Sequence, residues 1–185
     1  MVHGRGATAE SILTLADALD VSGLTLRAPS AAGNVWYPRR FMEPIASNEP
    51  FLSSALAALA VLVRELSAAV EARNVVLLGF SQGACLVLEY AARNARRFGG
   101  IIGLSGGLIG EPGTRWEYPG SLDGTPVLLG CSDVDFHIPE ARVRESAEAL
   151  TALGARVDCR IYPGMGHTVN QDEMDAVQAI LHDIR

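Results

Sequence analysis

No run of basic residues, no long apolar stretch and no even set of cysteines occurs in this chain, and each absence excludes a class of protein. Lys and Arg number 15 against 21 Asp and Glu, a formal net charge of −6, the opposite of what a nucleic-acid partner requires. The apolar run at residues 56–63 is too short to span a bilayer. The opening Met-Val-His-Gly-Arg-Gly lacks the apolar segment of a secretory signal. Cys85, Cys131 and Cys159 fit no zinc or redox spacing and read as buried reduced thiols, which suits a cytoplasmic location. Neither a metal nor a cofactor is expected. Repeats, low-complexity tracts and linkers are missing too, and 185 residues make one domain, 1–185, with room for a real core.

What is present is an alternation of short apolar runs with stretches of helical periodicity. Residues 75–78, 100–105, 125–131 and 156–162 read as strands, and 24–28 does so by its alternation before Pro29. Helices are expected over 8–19, from Ser47 or Asn48 through Arg73, and over 84–97, 140–153 and 171–184. Residues 30–48 form a long loop of the kind that carries function; residues 109–124 read as irregular surface chain. Strands alternating with helices predict an α/β fold, a mostly parallel sheet covered by helices on both faces with its site at the strands' carboxyl ends. His3-Gly4-Arg5-Gly6 looks like a loop that follows a strand, yet only Met1 and Val2 precede it, so the N-terminal strands are expected to be reduced or missing.

The chemistry centres on Gly79-Phe80-Ser81-Gln82-Gly83. A strand that becomes a helix within one residue forces a tight turn, and glycines two positions to either side let strand and helix approach without a Cβ clash. The serine hydroxyl then projects above the sheet at a helix N-terminus, where negative charge is favoured. This is the nucleophile elbow of an α/β-hydrolase, and its partners follow in the order that fold uses, serine, acid, histidine. His167 follows the strand 156–162. The acid loop offers two carboxylates, Asp133 and Asp135; one orients the histidine, and the other braces the loop by hydrogen bonds to the backbone.

An ester carbonyl attacked by Ser81 becomes an oxyanion and needs two fixed donors. The Gln82 N–H is one, and the Arg5 N–H of the early loop is the other. The Arg5 side chain either meets an anionic substrate or lies in solvent. Trp36, on the loop 30–48, is expected on one wall of the substrate pocket or in a hydrophobic cluster beneath the loop; Phe80, Ile138 and Met165 flank the three reacting residues and complete the pocket.

With Ser81 and His167 placed, the sequence resembles the phospholipase/carboxylesterase family, which includes acyl-protein thioesterases and small bacterial carboxylesterases. The matching pieces are His3-Gly4-Arg5-Gly6, Trp36-Tyr37-Pro38, Gly79-Phe80-Ser81-Gln82-Gly83, the segment Asp133-Val134-Asp135-Phe136-His137-Ile138-Pro139 and Gly164-Met165-Gly166-His167. The resemblance implies that the second aspartate, Asp135, is the acid. It also implies hydrolysis of short- to medium-chain carboxylic esters or thioesters without a metal, and, as in some members, a homodimer. Two departures stand out: Cys131-Ser132 replaces the family's usual His-Gly, and the usual strands ahead of the His-Gly loop are lacking. A serine carboxylesterase is therefore expected, with a catalytically weak ligand-binding module on the same fold as the rival reading.

Overall fold

The structure, a computed structural model, describes residues 1–184. Four parallel strands, β1 (Val76–Phe80), β2 (Gly100–Leu104), β3 (Pro126–Ser132) and β4 (Arg156–Tyr162), lie side by side in that order. Their side chains alternate between two cores. Leu77, Ile101, Val127 and Leu129 meet the apolar stripes of α2 (Phe51–Ser67), α3 (Gln82–Arg93) and α4 (Glu140–Ala152). Leu78, Ile102 and Leu128 face α1 (Ala9–Leu13) and α5 (Gln171–His182), where Ile12, Val177 and Leu181 close the second layer. Strands buried on both faces explain their continuous Val, Ile and Leu content. Among the described residues, no helix is long and apolar enough to cross a membrane.

Val2 pairs beside β1, donating to the Leu78 carbonyl (2.8 Å) and accepting from the Phe80 N–H (3.2 Å). Residues 24–28 correct the sequence reading, because they form no strand. They lie beside Met1, whose amine donates to the Arg27 carbonyl (2.7 Å), and a single contact of this kind is not a ladder. The first helix is also shorter than expected: α1 passes into a 3-10 turn at Thr14–Ala18.

Helix α2 starts at Phe51 rather than at Ser47 or Asn48. Pro50 precedes it, a residue with no N–H to leave unpaired, and the Glu49 carboxylate accepts the Ser53 N–H (3.0 Å). The helix stops at Ser67, before Arg73, so that the chain can turn into β1. Residues 109–124 are irregular, as expected, but they are not simply surface. Ile109 and Leu122 are buried, and the segment is tied down by two buried charges. The Arg142 guanidinium donates to the Leu108 and Gly110 carbonyls, and the Glu89 carboxylate accepts from the Ile109 N–H and the Tyr118 hydroxyl.

Candidate active site

Ser81 sits between β1 and α3 with φ 55° and ψ −120°, a conformation that side-chain-bearing residues adopt only when their surroundings enforce it. Its neighbours enforce it here. The Ser81 N–H donates to the Leu104 carbonyl (2.9 Å) and its carbonyl accepts the Cys85 N–H (3.0 Å). A Cβ on Gly83 would lie 2.6 Å from the His3 carbonyl oxygen, so only glycine lets α3 pack under the early loop. Gly4 in turn lies against Ser81, where an added Cβ would stand 3.3 Å from the serine Cβ.

The His167 ring bridges Ser81 and Asp135. Its Nε2 lies 2.9 Å from Ser81 Oγ and its Nδ1 2.6 Å from Asp135 Oδ2. An ionised carboxylate only accepts, so Nδ1 carries the proton and Nε2 is left to accept from the serine. Phe80 lies against the imidazole with its ring centre 5.0 Å away, and the His137 ring meets it edge-on at 4.8 Å. The Asp135 side chain is fully buried. Burial alone pushes its carboxyl up, but the hydrogen bond from His167, the N–H groups of His137 and Ile138 (2.8 and 3.1 Å) and the His167 charge outweigh it and hold the group below the usual carboxylate range. Asp133 is exposed and spends Oδ1 on the Gly164 N–H (2.8 Å). The two aspartates thus do different things within one loop.

Two braces on the histidine loop lie outside the sequence reading. Buried Ser132 accepts the Gly166 N–H (3.0 Å) and the Val134 N–H (3.2 Å), joining the acid and histidine loops through one hydroxyl. Glu173, also fully buried, accepts the Asn170 N–H (2.9 Å) while Asn170 Oδ1 accepts the Glu173 N–H, a capping box that fixes the start of α5. The other Glu173 oxygen accepts no donor and presses on Gly130. Burial pushes this carboxyl up to about 7 against the opposing bond from Asn170.

The folded protein therefore holds a proton that the unfolded chain releases. The stabilisation is complete below the ordinary value of 4.5 and is lost as pH rises toward about 7. The loss is roughly 3 kcal/mol. Thermal melts between about pH 5 and pH 8 will show a falling midpoint, and Glu173→Gln will flatten that dependence relative to the parent protein.

The early loop is held as firmly. The His3 ring is buried; Nε2 accepts the Ala31 N–H (3.2 Å) and Nδ1 faces the Gly4 carbonyl (2.8 Å). Neither the Arg5 nor the Gln82 backbone N–H has a partner among the described residues, the state required of donors kept for an oxyanion. The Arg5 guanidinium settles the question its sequence left open, since it donates to the Tyr37, Pro38 and Arg39 carbonyls (2.8–3.1 Å). The Gln82 side chain grips the same strap, accepting the Trp36 N–H (3.0 Å) and donating to the Tyr37 carbonyl (2.8 Å).

A cleft of about 460 Å³ opens over Ser81 and His167, with Phe80 and Ile138 on its wall. Met165, expected there, does not line it, and of the two places open to Trp36 the structure takes the hydrophobic cluster beneath the loop. The Trp36 indole is buried and donates to the His3 carbonyl (2.8 Å); the Met165 sulfur receives the Asn170 amide. A second recess of about 430 Å³ lies across Phe80 and His167 and is lined chiefly by apolar groups, among them Ile12, Leu15 and Val169. Among the described residues, no cluster of His, Cys, Asp and Glu is placed to hold a metal ion.

Comparison with known proteins gives a consistent picture. The family model for phospholipase/carboxylesterase matches residues 24–184. The chain is 34% identical over 124 residues to acyl-protein thioesterase 1 of Gibberella zeae, covering 65% of this chain and 52% of that protein. It is 27% identical over 126 residues to the Neurospora crassa protein of the same name, covering 65% and 50%. The chain thus spans about half the length of the curated relatives it matches. A solved phospholipase/carboxylesterase from Dyadobacter fermentans superposes with a TM-score of 0.94 at 44% identity, covering 98% of this chain and 88% of that one.

Proposed function

This chain belongs to the phospholipase/carboxylesterase family, and from that premise we propose that it is a serine hydrolase cleaving short- to medium-chain carboxylic esters or thioesters. The observation that carries the proposal is the unbroken hydrogen-bonded line from Ser81 Oγ through His167 to Asp135 (2.9 and 2.6 Å). Ser81 Oγ attacks the carbonyl carbon as His167 Nε2 takes its proton; buried Asp135 stabilises the imidazolium that results. The oxyanion is held by the Arg5 and Gln82 N–H groups. Collapse expels the alcohol or thiol, protonated by His167, and leaves acyl-Ser81, which water then hydrolyses by the same route in reverse roles.

The apolar recess beside Ile12, Leu15 and Val169 suits the acyl chain, and the cleft beneath residues 37–40 suits the leaving group. A panel of p-nitrophenyl esters from acetate to octanoate, run beside the matching acyl-thioesters, tests the reading. Turnover is expected within that range, and a fluorophosphonate should label Ser81 and abolish it. Folded protein that is neither labelled nor active on any member of the panel would bring the ligand-binding reading forward instead.

A further inference from the structure

The strap of residues 36–40 is pinned along its whole length by three side chains. Gln82 holds Trp36 and Tyr37, and Arg5 takes three successive carbonyls. Asn48, fully buried, accepts the Arg39 N–H (2.7 Å) and donates to the Arg40 carbonyl (3.1 Å). This rigid backbone presents Arg39 and Arg40 on the wall of the Ser81 cleft. The Arg39 guanidinium meets no acceptor among the described residues. Arg40 reaches only the Phe136 and His137 carbonyls, at 3.5 Å each. The one carboxylate on the cleft wall, Glu43, lies 3.4 Å from the Arg40 N–H. In a chain of net charge −6, the face beside Ser81 is locally cationic.

The geometry points to an anion subsite: Arg39, assisted by Arg40, binds a carboxylate carried on the leaving-group side of the ester. A guanidinium offers a fork of donors that matches a carboxylate. The neighbouring recess, chiefly apolar, is where the acyl chain fits, which leaves the charged part to this cleft. The inference rests on the hydrolase reading above and narrows it to esters whose alcohol or thiol portion is anionic.

The test compares 4-acetoxybenzoate with its neutral analogue 4-acetoxybenzamide, which share one scissile acetate. The parent protein should favour the benzoate in kcat/KM by about tenfold at low salt. Arg39→Gln, and more fully Arg39→Gln with Arg40→Gln, should erase that ratio. Both arginine side chains are exposed and the clamps on this stretch hold its backbone, so the strap keeps its shape in the variants. A ratio near one in the parent, or one that survives both substitutions, overturns the subsite. So does a preference for mono-p-nitrophenyl glutarate over p-nitrophenyl butyrate that falls in the variants while the benzoate ratio does not. Calorimetric titration of Ser81→Ala protein with 4-hydroxybenzoate and 4-hydroxybenzamide judges the subsite without turnover. Tighter binding of the anion, lost in the arginine variants, supports the subsite even if the protein hydrolyses none of the esters; equal binding refutes it even if hydrolysis is fast.

Discussion

Ser81→Ala will lower the turnover of an activated ester by about four to six decades, with the fold intact. The hydroxyl is the one group placed both at the elbow and within 2.9 Å of His167 Nε2. Alanine keeps the Cβ that the Gly4 contact already accommodates, so packing is unchanged. His167→Ala should cost about as much, and the double variant scarcely more than either, because nucleophile and base act as one unit. What remains in all three reflects binding and the oxyanion donors alone. Stopped-assay kinetics on purified, melt-checked protein decide the matter. Parent-like rates in Ser81→Ala would mean that another group carries the reaction.

Asp135→Asn should cost about four decades, although the two residues are nearly the same shape. The Oδ1 position would still accept the His137 and Ile138 N–H groups, which fixes the side chain's orientation. That places the new amide NH2 where Oδ2 now faces His167 Nδ1 at 2.6 Å. Two donors cannot face each other, so the imidazole moves its proton to Nε2, the atom that must accept from Ser81. The base is then in the wrong tautomer while the geometry looks intact. Asp133→Asn is the control. Its side chain still offers an acceptor to the Gly164 N–H, and activity should stay within about threefold. A large loss at residue 133 with a small one at 135 would reverse the assignment of the two aspartates.

Much of this site is legible in the sequence because its parts are local signals in a forced order. Ser81 stands between a β-branched run and a helical stretch, and the two loops that complete the set each follow a strand. The choice between Asp133 and Asp135 is not legible from spacing. It depends on which carboxylate is drawn beneath the histidine and which faces outward: the His137 and Ile138 N–H groups and the Cys131 thiol hold Asp135 inward, and the Gly164 N–H holds Asp133. Met165 misled because an apolar side chain beside a reacting residue reads as pocket lining, whereas its sulfur receives the Asn170 amide; for Trp36, placed on the rim by its loop, spacing alone could not choose between pocket and cluster, and it joins the cluster.

The failure at residues 24–28 is of another kind. Alternation there is real, but a strand exists only with a partner, and the neighbour along that edge is the short stretch at Met1 and Val2. Charged residues in helical stripes, such as Glu89 and Arg142, gave no sign that they are buried staples for irregular chain. The Gln82 side chain likewise escaped notice, since only its backbone N–H enters the elbow's familiar logic.

The clamps on residues 36–40 bear on the substrate recognition proposed above. Freedom that a mobile cover would surrender with every molecule captured has here been given up once, as the polypeptide took its shape. Under the proposed function, an arriving ester would meet a finished surface, and discrimination at this face would be decided by fit and charge rather than by any act of closing.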